Sequence, residues 1–485
     1  MLKNKSVLNK NRWLILLTVV LNTFMCCLDA SIVNVALPVM SKELGVNMAS
    51  IEWVVTSYLI VISATILIFG RLGDIKGKTK IFQLGIILFT IGSFLCGMTN
   101  SLLILVMARG IQAIGAAATM SNSQGIATHV FPSNERGRAL GTIGTFVALG
   151  AMVGPPIGGF ILSVLSWKYI FLINVPIGIV TFILSMKIFP KSTAELNERL
   201  DIKGAAFFVI SIVTLFGALV HGQNTGYNHP IIIIGFIISI ISLILFIIVE
   251  NIVKLPLLQL SIFKNNLFSL SIFCGFVSFI ALSAMTIILP FYFQDVLKLS
   301  PAITGLFMMI SPIILSIVAP VSGYLSDKIG SEFLTFIGLI FMSLGFILMS
   351  NLNENSGLII TAMFIAIMTI GNGMFQSPNN SLVMSTVSKN KLGIAGSINA
   401  FVRNLGMVLG VSLATLILYN RMSYKIGYRV TNYIEGRNDV FIYGMKYVFI
   451  GAAVLCSIGA IITAVRLYSG KEDSENKSKN TIEEY

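Results

Sequence analysis

Charge is what this chain has least of. Asp, Glu, Lys and Arg make up 11% of its 485 positions, against roughly 25% in a soluble domain. Hydrophobic residues reach 55% and the mean hydropathy is +0.89. The polar residues fall in short clusters between apolar runs of about 20 residues, roughly the length that crosses a bilayer as helix. That pattern excludes a soluble globular protein. Histidine is nearly absent: His129, His221 and His229 fall at the ends of apolar runs, so the sequence offers no intramembrane histidine relay. The five cysteines (Cys26, Cys27, Cys96, Cys274, Cys456) lie inside apolar runs without metal-ligand spacing and read as small buried hydrophobes. There is no phosphate loop and no nucleotide motif. No cofactor or metal is expected, and an ion gradient is the energy source left. A net charge of +13 could suggest nucleic acid, but no basic stretch carries interleaved aromatics, so no nucleic-acid partner is expected.

Fourteen spans can be read along the chain, the first at 13–38 and the last at 441–467. The first run is too long for the apolar core of a signal peptide and no A-x-A site follows, so it is expected to remain as a helix. An even count puts both termini on one side. Of the 33 Lys and Arg, 23 fall on that side and 8 on the other, with Arg109 and Arg403 inside spans. By the positive-inside rule both termini are expected in the cytoplasm. Five of the eight outer basic residues sit in one segment, 420–446, which reads as the longest outer loop: a solvated loop, an ordered external hairpin or an amphipathic helix.

An internal repeat organises these spans. Leu37-Pro38 closes span 1 and Gly70-x-Leu72-x-Asp74-x-x-Gly77 follows span 2. Leu289-Pro290 stands near the end of span 9 and Gly323-x-Leu325-x-Asp327-x-x-Gly330 follows span 10. The prolines are 252 positions apart and the leading glycines 253. Six spans are too short for that offset, so spans 7 and 8 are an insertion. The expected fold is an all-α membrane protein of fourteen transmembrane helices, two parallel six-helix halves with two helices between them. Its parts are an N-terminal tail 1–12, a first half 13–188, inserted helices with flanking loops 189–264, a second half 265–469 with the external loop 420–440, and a C-terminal tail 470–485, polar and expected to be disordered.

Five motifs carry a family resemblance. Leu28-Asp29-Ala30-Ser31-Ile32-Val33-Asn34-Val35-Ala36-Leu37-Pro38 resembles the first-helix signature of the fourteen-helix drug:proton antiporters of the major facilitator superfamily. Gly70 to Lys80 is similar to that superfamily's loop between helices 2 and 3, and Arg109-Gly110-x-Gln112-x-x-Gly115 to its fourth-helix motif. Gly141, Gly150, Gly154, Pro155, Gly158 and Gly159 match the exporter-specific motif of helix 5 at every spacing. Trp167 to Pro176 resembles the start of the sixth helix. The resemblance implies a multi-pass exporter in the lipid bilayer of a bacterial plasma membrane. Its partners would be small lipophilic substrates and protons, and it would work as a monomer and not as an enzyme.

The residues also speak physically. Asp29 is the one acidic residue deep in a span, while Glu52 and Glu250 stand near span ends. A carboxylate at that depth costs at least about 3 kcal/mol and demands a partner or water. Asp29 lies nine residues before Pro38, about 13 Å from the outer end, and Arg109 eight residues into span 4, about 12 Å from it. The two are level, so they are expected to form a titratable pair in which Asp29 takes the proton, with Gln112 one turn on. The span 5 glycines are expected to bring helices close where the halves meet, with Pro155 bending the helix. The resemblance makes Asp74, with Gly70 and Gly77, a cytoplasmic gate, and Asp327 its weaker twin. Arg403 on span 13 has no acidic partner that spacing assigns; it either bonds backbone carbonyls or meets an anionic or zwitterionic substrate. Asn34, Gln112, Gln376, Asn379 and Arg403 are the candidate cavity residues, with Asn380 beside them. With only Asp29 deep, the expected cargo is monocationic, zwitterionic or neutral. The expected function is proton-coupled export of lipophilic drugs or amphiphiles; the alternative is a dedicated exporter or flippase of one endogenous lipid, peptide or metabolite.

Overall fold

The computed structural model describes residues 2–132, 135–189, 200–253, 256–258, 260–387 and 392–483. Among the described residues fourteen helices are long and apolar enough to cross a membrane: span 1 Arg12–Glu43, span 2 Met48–Lys76, span 3 Lys78–Met98, span 4 Leu102–Val130, span 5 Thr142–Val164, span 6 Tyr169–Ile188, span 7 Ile202–Gly222, span 8 Pro230–Ile252, span 9 Asn266–Val296, span 10 Pro301–Ser326, span 11 Ser331–Met349, span 12 Leu358–Ser385, span 13 Ile398–Ile426 and span 14 Asn438–Leu467. Among the described residues there is no strand. Fourteen crossings put the start of span 1 and the end of span 14 on one face of the bundle, called here the terminal face; the other is the far face.

The repeat is visible in the backbone. The loop after span 2 turns at Gly77 with φ +100°, and the loop after span 10 turns at Gly330 with φ +93°, a region that glycine enters freely. Spans 3 and 4 and spans 11 and 12 cross by the same device. A Cβ on Gly92 would stand 2.5 Å from the Gln112 backbone nitrogen, and one on Gly345 would stand 2.5 Å from the Met368 Cα. Such approach without side chains between is how helices associate where no hydrophobic drive separates protein from lipid. Spans 7 and 8 pair through Ser211, which donates to the Ser239 carbonyl at 3.1 Å, and Ser239, which returns the bond at 2.9 Å. Span 7 lies against spans 2 and 13, the Phe208 and Phe401 rings 5.3 Å apart. Span 8 turns a row of exposed isoleucines outward, as a helix facing acyl chains does.

Four details differ from the sequence reading. Span 1 does not stop at Pro38 but continues to Glu43, because proline loses one donor and its neighbours hold the turn. Spans 2 and 6 are interrupted at Glu52 and Ile173, and span 10 at Met309. The expected outer loop 420–440 is shortened by helix at both ends: Leu392–Ile426 and Asn438–Glu483 leave 427–437 between them. Arg421 and Lys425 sit on that helical extension, stacked over Tyr447 at 4.6 Å and Tyr443 at 5.4 Å, so two of the five basic residues form a cation–π seam between spans 13 and 14. The final helix also runs through the tail expected to be disordered, no proline interrupting it before Glu483.

Candidate functional site

Asp29 is wholly buried inside the first half, not in the opening between the halves. Arg109 donates to its Oδ2 at 2.6 Å, Gln112 to its Oδ1 at 2.9 Å, and Asn174 to the same Oδ1 at 2.8 Å. Arg109 also donates to Gln112 at 2.6 Å and to the Val54 carbonyl at 3.0 Å, and its guanidinium lies 4.0 Å over the Tyr58 ring. Gln112 donates in addition to Ser93 at 2.8 Å. Spans 1, 2, 3, 4 and 6 thus meet at one carboxylate. The depth match seen in the sequence is correct, and Gln112 joins as its spacing suggested. Asn174 and Ser93 come from distant positions; the interruption of span 6 at Ile173 sets Asn174 at the start of a new helical segment, aimed inward.

Gln112 and Asn174 both donate to Oδ1 and Arg109 to Oδ2, so three of the roughly four lone-pair sites of the carboxylate are taken and one on Oδ2 is open. The Asn174 Oδ1 is buried without a hydrogen-bond partner. Rotating the amide would turn that oxygen toward Asp29. A buried unsatisfied acceptor costs about 1–3 kcal/mol.

The span 5 glycines are spent on contacts. Gly150 lies against the Phe24 carbonyl and Cys27, Gly154 against Ser31, and Gly158 against Ile32, and an added Cβ at any of the three would collide with these atoms. Gly159 turns to the other half, where the Pro301 carbonyl occupies the place of its missing Cβ, and Gly305 meets the Pro155 carbonyl in the same way. Three glycines therefore seat span 5 on span 1, while Gly159 and Pro155 seat it on span 10. The surroundings of Gly141 lie outside the described residues.

The halves are tied at the far face. A π-helical turn, Tyr292–Val296, ends span 9 just beyond Pro290 and presents two polar residues across the seam. Gln294 donates to the Val35 carbonyl at 3.0 Å, and Lys42 pairs with Asp295 at 2.9 Å. Asn47 donates to Thr431 at 3.2 Å. Tyr419 donates to the buried carboxylate of Glu52 at 2.7 Å. Sequence position placed Glu52 near a span end, which is right, and missed that a hydroxyl from span 13 closes over it. At the terminal face, Asp74 accepts from Lys78 at 2.7 Å within its own loop, and Gly73 packs so tightly on Asn122 that no Cβ could fit between them. Gly70 lies against Ser121. The side chain of Asp327 lies outside the described residues.

Cavity candidates divide. Asn379 is buried and donates to the Ser271 carbonyl at 3.1 Å, so it fastens span 12 to span 9 and does not face an opening. Asn380 is exposed and accepts from Asn399 at 2.9 Å. Gln376 is half-buried. In mid-span 1, Ala30 is exposed and Cys27, Ser31 and Asn34 are half-buried, while Asp29 on the opposite side is sealed. Span 1 packs against spans 4, 5 and 6 and against spans 9 and 10 of the other half, so an exposed stripe in its middle faces an internal opening.

The sequence signature of the Major Facilitator Superfamily matches residues 19–411. The chain belongs to that superfamily. It is 34% identical over 458 residues to the riboflavin transporter RibZ of Clostridioides difficile, covering 94% of this chain and 97% of the relative. It is 29% identical to the multidrug transporter protein MdtP of Bacillus subtilis, covering 87% and 78%. Among solved structures, a mutant of the peptide transporter POT in complex with sulfate aligns over 94% of this chain and 95% of its own, with a TM-score of 0.68 at 17% identity, a likeness of fold. The superfamily's members are transport proteins rather than enzymes, so the chain is a multi-pass membrane transporter of small substrates.

Proposed function

We propose that this transporter is a proton-coupled antiporter that exports lipophilic or amphiphilic compounds by alternating access. The terminal face is the cytoplasmic one, as the excess of Lys and Arg there supports, and the membrane is a bacterial plasma membrane. The observation that carries the reading is the sealed carboxylate of Asp29, held by Arg109, Gln112 and Asn174 from spans 4 and 6. An intramembrane ionisable residue in a fully built polar nest is a functional group by default, because an apolar residue would fill the same space at no desolvation cost.

The arrangement supports a defined cycle. The seam formed by Gln294, Asp295 and Tyr419 closes the outer end, so the state described is inward-facing. Substrate enters from the cytoplasm with Asp29 ion-paired. After the halves rock outward and substrate leaves, a proton from outside moves to Asp29, releases Arg109 from its ion pair and lets Asn174 turn its oxygen to the new O–H. Spans 1, 2, 4 and 6 then repack, which returns the first half to the inward-facing arrangement. Gly159 and Pro155, where span 5 meets span 10, are the surface on which the halves rock. Asp74 and Asp327 hold the cytoplasmic side in the outward-facing state.

The test is Asp29→Asn in vesicles of confirmed orientation. The variant is expected to bind and exchange substrate but to show no efflux driven by a pH gradient; efflux that still follows the gradient would refute the reading. A dedicated exporter or flippase of a single endogenous compound is the second reading, favoured by the relative whose name specifies one vitamin. A panel of dyes and antibiotics, with and without an uncoupler, separates the two by breadth of substrates.

A further inference from the structure

The electrostatics of the internal opening follow from which charges border it. Asp29 and Arg109 neutralise each other on the sealed side of span 1. Glu52 lies in the far-face seam under Tyr419, and Asp295 is paired with Lys42. Asp74 stands at the terminal face with Lys78. A further charge stands inside span 13, and it is positive. Arg403 is half-buried on span 13, 11 residues or about 16 Å into the helix that begins at Leu392. The half-exposed stripe of span 1, with Cys27, Ala30, Ser31 and Asn34, borders the opening from the first half. Among the described residues Arg403 makes no hydrogen bond and no ion pair. The small residues of its own helix give it no partner either: Gly406 and Gly410 are used up against Phe276, Phe279 and Ile280 of span 9.

A guanidinium carries five donors, and leaving them unmet inside a membrane is costly. The same side chain is well shaped to receive a planar or tetrahedral oxyanion through paired hydrogen bonds. One helical turn away stands Asn399, bonded to Asn380 of span 12, which supplies neutral polar surface beside it. We infer that Arg403 is the counter-charge for an organic anion: the cargo of this opening is an amphiphile carrying a single carboxylate, sulfonate or phosphate on a lipophilic body, seated between spans 1 and 13. This narrows the monocationic, zwitterionic or neutral cargo expected from the scarcity of deep acids, because the one deep acid is not in the opening, and it takes up the anionic partner that the sequence left open for Arg403. The inference deepens the proposed function and rests on its reading of the opening as the substrate path. Exchanging one outgoing anion for one incoming proton moves charge across the membrane twice in the same sense, whereas a monocation would exchange without net charge.

The test uses two dyes that differ in one group. 1-Anilinonaphthalene-8-sulfonate and N-phenyl-1-naphthylamine share the same rings, and only the first bears the sulfonate. Binding to the full-length protein is measured in phosphatidylcholine nanodiscs, with empty discs subtracted, so that no anionic lipid competes. The wild type is expected to bind the sulfonate roughly tenfold or more tightly than the neutral dye, the effect of one charge-assisted contact. Arg403→Gln should lose that preference and keep its affinity for the neutral dye, which shows that the variant is folded. Arg403→Lys should keep part of it. Asp29→Asn should keep all of it, so a protein that fails to couple protons but prefers the sulfonate separates this inference from the antiport reading. Equal affinities in the wild type, no saturable binding of the sulfonate, or a preference that survives Arg403→Gln would each overturn the proposal.

Discussion

The two six-helix halves share a scaffold and differ in what fills it. Gly92 meets Gln112 in the first half as Gly345 meets Met368 in the second. Three residues before Gln112 stands Arg109; three before Met368 stands Ile365. Nine before Pro38 stands Asp29; nine before Pro290 stands Ala281. One interior is therefore an acid, a guanidinium and an amide, and the other is alanine, isoleucine and methionine, all buried. The apolar half shows that this helix packing needs no ion pair. Buried pairs of this kind add little or nothing to stability over apolar residues of similar size, which supports a functional role for the polar trio.

The largest effect should come from breaking the trio unevenly. Arg109→Ile alone leaves a buried carboxylate without its counter-charge and is expected to cost about 3–5 kcal/mol, read as a collapse of folded yield and of the thermal midpoint in detergent. The triple change Asp29→Ala, Arg109→Ile, Gln112→Met copies the second half into the first. It should restore the midpoint to near the wild-type value while proton-driven transport stays at zero. A triple variant less stable than Arg109→Ile would mean that the polar trio holds the fold together.

The scaffold itself should respond alike on both sides. Gly92→Ala and Gly345→Ala each push a methyl to within 2.5 Å of a facing backbone and are expected to cost about 1–3 kcal/mol, with similar drops in midpoint. A large drop at one and none at the other would show that the halves do not share this packing. Smaller effects belong to the seam. Tyr419→Phe removes a donor to Glu52 and should shift the balance of states by about 1–3 kcal/mol toward outward-open, seen as faster thiol labelling of a cysteine placed at Val35. Lys42→Ala should do much less, about 0–1 kcal/mol, because Lys42 is 69% exposed and its pair with Asp295 is screened.

Much of this is legible in the sequence, for a physical reason. Distance along a span is 1.5 Å per residue, so counting from Pro38 and from the start of span 4 sets the depth of Asp29 and Arg109. Counting does not give azimuth around a helix, nor which helices are neighbours. That is why Asn174 and Ser93 escape it as partners, and why Asn379 reads as a cavity residue although it is turned into span 9. The span 5 glycines are recognisable as a contact surface, but not that three of them serve span 1 and one serves span 10. Spacing overestimates the outer loop because basic residues read as solvated, whereas Arg421 and Lys425 extend span 13 by stacking on tyrosines of span 14. A signal for Glu52 does exist: it is an acid in an apolar stretch, and its lateral partner 367 residues away is the part that spacing could not supply.

The claim that the polar trio is a proton switch can be tested without knowing the cargo. Infrared difference spectra of the purified protein, recorded between high and low pH, report a carboxylic acid through its C=O stretch. The wild type should gain that band on acidification together with a change in the amide C=O of an asparagine, and Asp29→Asn should lose the share of the band that Asp29 contributes, the other carboxyls keeping theirs, while Ala281→Asn keeps it whole. A wild type with no such band, or an Asp29→Asn protein that retains it in full, would contradict the account.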